Sequence, residues 1–326
     1  MVDIVALLHC LQPHVTATTL RQCSRIAFAM LVMTGRVTML GISRWAGQGG
    51  SYRTVQRFFA TVIPWATLFW VFFRHHVYRP GEGYLLVGDE VVATKAGKHT
   101  HGLDRFFASL YGKPVPGLAF FTFSLVSTQQ RRSFPMRVEQ VVRSDAEKAA
   151  SKAKAAAKKP KTPGEKRRPG RPKGSKNRPQ ADVPLTPELG RITAMLGALL
   201  QGIAGVISLT HLVLDGHFGN RNALQMARQH HLHLISKLRY DAALYFPYTG
   251  PYTGRGPQRK YGDKVDYDDL PLSSLKETTV EGHLRTCLYQ MQLLHKEFTQ
   301  PLNVVSIVTT KLRPQAHAHV LLFSGA

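Results

Sequence analysis

The first quarter of the chain places apolar residues at helical spacing. They recur every three or four positions in Leu20–Met33 and Val55–Phe73, which predicts amphipathic helices. Between these stretches, Gly41–Phe59 (GISRWAGQGGSYRTVQRFF) predicts a short helix, a glycine-rich turn and a second helix with Ser51 as its N-cap. We therefore expect residues 1–80 to form a helical domain, arranged either as a DNA-binding helix-turn-helix or as an ordinary helical hairpin.

From Gly83 onward, short apolar runs alternate with stretches of helix length. The runs predict buried strands: YLLV (84–87), LAFFTFSLV (118–126), THLVL (210–214) and HLIS (233–236). Residues 189–206 and 220–231 have the composition of helices. Strands that alternate with helices are typical of an α/β sheet flanked by helices.

The last part of the chain is rich in strand and turn signals. Prolines and glycines interrupt residues 245–256, and residues 278–294 and 302–310 then predict strands. One more apolar run, HVLLFS (319–324), predicts a strand close to the last residue. We expect residues 240–318 to form a β-rich insertion within a domain that covers residues 81–326.

A basic, low-complexity segment interrupts the α/β pattern. Residues 148–178 contain 13 Lys and Arg against one acid, Glu165. Because this composition offers no apolar face to bury, we expect residues 145–188 to form a disordered, solvent-exposed insert. The whole chain carries a net charge of +23, so about half of that charge belongs to the parts predicted to fold. Such a balance favours a polyanionic partner, either nucleic acid or an anionic membrane surface.

Other features of the composition narrow the choice. The three cysteines, Cys10, Cys23 and Cys287, form no CxxC pair, which argues against a disulfide framework and favours a reducing compartment. No signal peptide is recognisable at the N-terminus. The apolar segment Ala60–Phe73 has about 14 residues and contains Pro64, so it is too short for a membrane span and predicts a buried helix.

Two aspartates follow apolar strands directly. Asp89 comes after YLLVG and Asp215 after HLVL. Functional groups of an α/β sheet gather at the carboxyl ends of its strands, and carboxylate oxygens suit Mg²⁺ or Mn²⁺. The pair is therefore a candidate site for metal-assisted phosphodiester cleavage. An Asp in either position also serves commonly as a turn residue or helix N-cap.

The segments around both aspartates resemble a known family. VGDEVVATKAGKHTHGLDRFFASLYGKPVPGLAFFTFSLV (87–126) and LVLDGHFGNRNAL (212–224) resemble the two first catalytic blocks of insertion-sequence DDE transposases. GRPKGSKN in the basic insert is also seen in such proteins. The resemblance implies an RNase H-like mixed sheet flanked by helices, with Asp89 and Asp215 as catalytic metal ligands. It also implies cleavage and strand transfer of DNA with Mg²⁺ or Mn²⁺.

The resemblance also implies a third acid that we do not find. The family carries a Glu on a helix after the β-rich insertion, in a Tyr-x2-Arg-x3-Glu-x6-Lys pattern, and no such spacing follows Asp215. We therefore expect the chain to stop before its third catalytic carboxylate, with catalysis impaired. Glu90 is not expected to replace it, because successive strand residues face opposite sides.

Three groups of residues are candidate DNA contacts. They lie on the second helix of the helix-turn-helix, in the loop after the first acid and in the basic insert: Arg53, Gln56 and Arg57; Lys95, Lys98 and His99; Arg168, Arg171 and Lys173. The first two groups have the alternative of a solvated surface. The third resembles an AT-hook for the minor groove, with nonspecific phosphate contact as the alternative.

Together these features predict a bacterial, cytoplasmic, nucleoid-associated transposase without a membrane partner. Its partners would be double-stranded DNA at the terminal inverted repeats of the element and at the target. A homodimer with a second copy is a further expectation. A DNA-binding repressor without catalysis and a basic RNA-binding protein remain alternatives. The RNA-binding alternative does not explain the two aspartates.

Overall fold

The computed structural model describes residues 4–97, 99–157, 185–239, 241–252, 254, 256–311 and 317–325. The chain divides into two compact units. The first comprises Met1–Tyr84, Phe123–Val138 and Ala198–Ser208, and the second comprises Leu85–Thr122, Glu139–Gly197 and Leu209–Ala326.

Short helices make up most of the first unit. In chain order they are α1 (Ile4–Leu8), α2 (Ala17–Val32), α3 (Met39–Trp45), α4 (Tyr52–Ala60) and α5 (Trp65–His76). The predicted N-cap is confirmed, because the Ser51 side chain accepts a hydrogen bond from the Thr54 backbone N–H at 3.3 Å. A small core joins α2, α3 and α4 through the buried Ile26, Ile42 and Phe58. The expected helix, glycine-rich turn and second helix are thus present.

The helical spacing of Val55–Phe73 is divided between two helices. Helix α4 ends at Ala60, and α5 begins at Trp65. Pro64 lies in the break, where its missing N–H and fixed φ prevent helix continuation. Among the described residues, no helix alone has the length and apolar character needed to cross a membrane. The α4 and α5 pair passes on length and composition together but is bent by 97°.

The second unit is built around a sheet. Its strands, some of which extend beyond the unit, are β1 (Tyr84–Thr94), β2 (Asp104–Ala108), β3 (Lys113–Ser127), β4 (Ser133–Val141), β5 (His211–Leu214), β6 (His233–Leu238), β7 (Leu244–Pro247), β8 (Tyr261–Lys264), β9 (Leu275–Glu281), β10 (Leu284–His295), β11 (Leu302–Lys311) and β12 (His317–Gly325). The hydrogen-bonded order is β2-β3-β1-β5-β6-β12-β11-β10-β7-β8, with β4 beside β3 and β9 beside β10.

The sheet is mixed, as predicted. The pairs β1–β5 and β5–β6 are parallel, whereas β6–β12 and the strands from β12 to β10 are antiparallel. Three further helices, α6 (Asp145–Ala157), α7 (Pro187–Ile203) and α8 (Arg221–Gln229), accompany it. Helix α7 precedes β5 in the chain, and α8 connects β5 to β6, which is the crossover that a parallel pair requires.

Two regions differ from expectation. Residues 145–157 form α6, although the whole of residues 145–188 was expected to be disordered. Alanines favour a helix, and Ser144 and Glu147 form a reciprocal capping box at its start. Residues 158–184 lie outside the described residues. Residues 278–294 are not one strand but parts of β9 and β10, joined by a turn at Gly282 with φ of 59°.

Candidate active site

The two predicted acids lie side by side at the end of a parallel strand pair. The β1–β5 register pairs Leu86 with Leu212 and Gly88 with Leu214, so Asp89 and Asp215 are the next residues on each strand. Neighbouring strands are about 4.8 Å apart, and residues at the same level of a parallel pair point to the same face. The topology therefore brings together two carboxylates that are far apart in sequence.

Asp215 is held by hydrogen bonds on both its side chain and its backbone. Its Oδ1 accepts from the His217 backbone N–H at 3.1 Å and thereby caps a short 3-10 helix, Gly216–Phe218. Its carbonyl oxygen accepts from Oγ of the buried Ser236 at 2.6 Å. The capping alternative from the sequence is thus realised, and the Asp215 side chain stays exposed.

Asp89 lies within β1 rather than at its end, which corrects the expected boundary. The strand continues to Thr94, but its pairing with β5 stops at Gly88. The Asp89 side chain is exposed, and its Oδ1 accepts from the Glu90 backbone N–H at 2.9 Å. Asp89 therefore occupies the first position beyond the buried, parallel part of the strand.

Both aspartates line a cavity of about 860 Å³ in the second unit. Six carboxylates contribute to its wall: Asp89, Glu90, Glu139, Glu147, Glu188 and Asp215. Glu90, which was not expected to be a metal ligand, lines the same cavity. Burial raises the pKa of the Glu90 carboxyl, and the nearby Glu188 carboxylate raises it further, while Arg143, His217 and Arg191 oppose the shift.

Three basic side chains on the wall each contact an acid. Arg143 Nη1 lies 3.4 Å from Asp104 Oδ2. Arg191 Nη1 lies 2.7 Å from Glu147 Oε1, and this hydrogen bond, followed by bonds to Ser144, lowers the pKa of Glu147 to about 2. His217 Nε2 lies 3.4 Å from Glu188 Oε2.

Asp89 and Asp215 are not among the carboxylates in these ion pairs. Both are exposed, and the hydrogen bonds described above use Oδ1 of each side chain. Two carboxylates at adjacent strand ends fit Mg²⁺, which commonly takes one or two protein carboxylates and keeps several waters. Within the described parts of the chain, no group of three His, Cys, Asp or Glu is arranged to hold a metal ion.

The predicted DNA contacts fall in different places. Arg53, Gln56 and Arg57 are exposed on α4 in the first unit. Lys95 and His99 are exposed after β1 in the second unit, and neither is among the cavity-lining residues. Lys98, Arg168, Arg171 and Lys173 lie outside the described residues.

Most of the cavity wall was not singled out from the sequence, including the charged or titratable residues Glu139, Arg143, Glu147, Glu188, Arg191 and His217. The family pattern places the further acid after Asp215, whereas Glu188 precedes Asp215 on the first turn of α7. Pro187 followed by an acid is a helix-start signal, which locates the helix end but not the cavity it faces. His217 could have been predicted as a site residue from the sequence, because it follows Asp215 by two residues.

Comparison with protein families shows to which family the chain belongs. The family model described as DDE superfamily endonuclease matches residues 10–295. Comparison with curated protein sequences finds no match. Enzymes of this superfamily act on DNA and generally use divalent metal ions, which agrees with the paired carboxylates. The mixed sheet with flanking helices is the RNase H-like arrangement expected, and the chain belongs to the DDE superfamily endonuclease family.

Proposed function

We propose that the protein is a transposase that cleaves DNA and transfers strands at the ends of an insertion sequence. The observation that carries the proposal is the register of β1 and β5, which sets Asp89 and Asp215 at the same level on the wall of one cavity. In a DDE superfamily endonuclease, that placement supports a role for both aspartates as metal ligands.

The proposed mechanism assigns a task to each group of side chains. Asp89 and Asp215 would hold the metal, which would supply activation of a water and stabilisation of the leaving oxygen of the phosphodiester. Lys95 and His99, with Lys98, contact phosphates close to the scissile bond. Arg53, Gln56 and Arg57 on α4 contact the terminal repeat, and Arg168, Arg171 and Lys173 add phosphate contacts from the basic segment.

Nicking of a terminal-repeat duplex by the purified chain tests this function. We expect Mg²⁺-dependent or Mn²⁺-dependent nicking that is lost in Asp89→Asn and in Asp215→Asn. Asp269→Asn is a matched control, because Asp269 is an exposed acid outside the cavity wall. Nicking that survives both cavity substitutions would remove the basis of the assignment.

A second candidate is a DNA-binding protein that occupies the element ends as a repressor. The observation that favours it is that no third ligand joins Asp89 and Asp215 among the described residues, since both metals of a two-metal site depend on a full ligand shell. Binding of terminal-repeat DNA without nicking, unchanged after a helix carrying a Glu is appended, would favour the repressor.

The proposal includes the partners and the location. Terminal inverted repeats and target DNA would be bound as duplexes, and a second copy in a homodimer would bring the two element ends together. DNA binding would place the protein at the bacterial nucleoid.

A further inference from the structure

A surface of the β-rich insertion combines tyrosine rings with basic side chains. It is formed by β7, by β8 with the residues just before it, and by the turn between β10 and β11. We call it the Tyr–cation surface, and its members are Tyr245, Tyr248, Tyr261, Arg259, Lys260 and Lys296. None of these residues lines the cavity that contains Asp89 and Asp215.

Each cation of this surface lies over a tyrosine ring. The Arg259 guanidinium carbon is 4.9 Å from the centroid of Tyr248, and Lys296 Nζ is 5.1 Å from that of Tyr245. Lys260 Nζ is 5.9 Å from the ring of Tyr261, near the outer limit of a cation–π contact. Tyr245 and Tyr261 meet edge to face, with centroids 5.4 Å apart, so these two rings support each other.

Hydrogen bonds restrict two of the three cations further without burying them. Arg259 Nε donates to the Tyr261 carbonyl oxygen at 2.8 Å, and Lys260 Nζ donates to the Thr299 carbonyl oxygen at 2.7 Å. Arg259, Lys260 and Lys296 all remain exposed. Long side chains that are already positioned lose less conformational entropy when they bind an anion.

The turn that carries Lys296 is hydrogen-bonded to helix α8. Glu297 Oε1 accepts from the backbone N–H of Arg221 at 3.1 Å, at the first residue of α8. Arg228 Nη2 donates to Gln300 Oε1 at 2.6 Å. These contacts connect both ends of α8 to the turn, so the Tyr–cation surface is fixed relative to the β5–β6 crossover.

The charge of the surface favours an anionic ligand. Among the described residues of 245–264 and 296–297, four cations (Arg259, Lys260, Lys264 and Lys296) outnumber two carboxylates, Asp263 and Glu297. The acidic residues Asp266, Asp268 and Asp269 follow in the chain and set a limit to the positive region. Because a cation covers one face of each ring, the tyrosines support charges and are poorly placed to stack on bases.

We propose that the Tyr–cation surface binds the phosphate backbone of duplex DNA, as a contact separate from the cavity. The inference rests on the proposed function, which supplies the duplex. Phosphate contacts from lysine and arginine release counterions, so they contribute directly to the salt dependence of binding. They carry no sequence information and would instead fix the orientation of the duplex.

The slope of log Kobs against log[salt] for the full-length chain and a terminal-repeat duplex tests the proposal. The test variant combines Arg259→Gln, Lys260→Gln and Lys296→Gln. The control combines Lys276→Gln, Arg285→Gln and Lys311→Gln, which removes the same charge from exposed positions on β9, β10 and β11. Arg285 and Lys311 lie at the opposite end of the β10–β11 pair from Lys296.

We expect the test variant to reduce the magnitude of the slope by about 2 to 3, since each lost phosphate contact removes about 0.9. The control should keep the wild-type slope within about half a unit. Circular dichroism identifies a misfolded variant. If the triple variant is misfolded, the three single substitutions test the proposal instead, and each should reduce the magnitude of the slope by about 0.9.

The outcomes separate this inference from the proposed function. Equal slopes for the test and control variants, in a wild-type chain that binds and nicks the duplex, would overturn only the Tyr–cation surface. A wild-type chain that does not bind the duplex would overturn both.

Discussion

Ser236 Oγ donates a 2.6 Å hydrogen bond to the carbonyl oxygen of Asp215. Ser236 is on β6 and has 1% of its surface exposed. Strands β1, β5 and β6 form the parallel set. The bond links β6 to the backbone at Asp215, immediately after the end of β5. The position of this carboxylate therefore depends on a neighbouring strand as well as on its own.

Replacing Ser236 with Ala should weaken both stability and catalysis. It leaves the Asp215 carbonyl without its partner, which costs about 1 to 3 kcal/mol of unfolding free energy. If nicking is detectable in the wild type, we expect a lower kcat with little change in KM, because Asp215 is displaced and DNA contacts elsewhere are kept. Urea unfolding and single-turnover nicking measure the two effects.

Ser306→Ala provides the matched control for that substitution. Ser306 is fully buried on β11, and its hydroxyl has no hydrogen-bond partner among the described residues. Its replacement should be neutral or slightly stabilising, since no satisfied hydrogen bond is lost. Similar losses in both variants would show that burial of the serine, rather than its bond to Asp215, matters.

Divalent cations should stabilise the wild-type chain through Asp89 and Asp215. A ligand that binds only the folded state raises Tm with concentration, so titration with Mn²⁺ or Mg²⁺ should shift thermal unfolding upward. We expect Asp89→Asn and Asp215→Asn to reduce the shift, and the double variant to abolish it. Asp269→Asn should respond like the wild type, and an equal shift in the double variant would contradict a site at these residues.

The Glu147–Arg191 pair should make stability depend on pH in the acidic range. The pKa of Glu147 in the folded state is about 2, below the ordinary 4.5. Its contribution is therefore present above about pH 4.5 and is lost as pH falls toward about 2. Because the pair is partly exposed, we expect about 1 to 2 kcal/mol.

Urea unfolding of the wild type and Glu147→Gln at several acidic and neutral pH values measures that contribution. The difference between the two proteins should be largest near neutral pH and should vanish at the acid end. Glu277→Gln, an exposed carboxyl on β9, controls for the general loss of a negative charge. A difference that grows toward acid would have the wrong sign for a depressed pKa.

Helix α4 should contribute to DNA binding through its exposed polar side chains. Arg53→Gln and Arg57→Gln should each weaken binding of a terminal-repeat duplex by about tenfold, which corresponds to about 1.4 kcal/mol. Arg74→Gln is the control, because Arg74 is an exposed arginine on the neighbouring α5. Fluorescence anisotropy at fixed salt measures all three, and equal affinities would assign α4 to the hairpin alternative.

Local sequence patterns were sufficient to predict those features of the fold that depend only on residues close together in the chain. Ser51 before a helical stretch indicated its N-cap, and Asp215 after HLVL indicated a strand end. The break between α4 and α5 was also readable from Pro64, since proline acts on the residues around it. Asp89 was placed correctly beside Asp215, although β1 extends further than its apolar run.

The composition of the cavity wall depends on tertiary contacts that no local pattern encodes. Glu90 was set apart from Asp89 by strand alternation, yet it also contributes to the cavity wall. Beyond Gly88, β1 has lost its pairing with β5. Glu188 reaches the cavity because the first turn of α7 lies at its wall. A long basic segment precedes α7, and the sequence of that segment does not indicate where the helix begins in space.

The pairing of Gly88 with Leu214 also orders events during synthesis. The two residues are more than a hundred positions apart, and contacts of such long range form late in folding. A nascent chain that has emerged only as far as the basic segment already carries the α2–α4 helices and most of its excess positive charge. It lacks β5 and the Ser236 bond, so Asp89 and Asp215 can be brought together only after the chain has been made as far as β6.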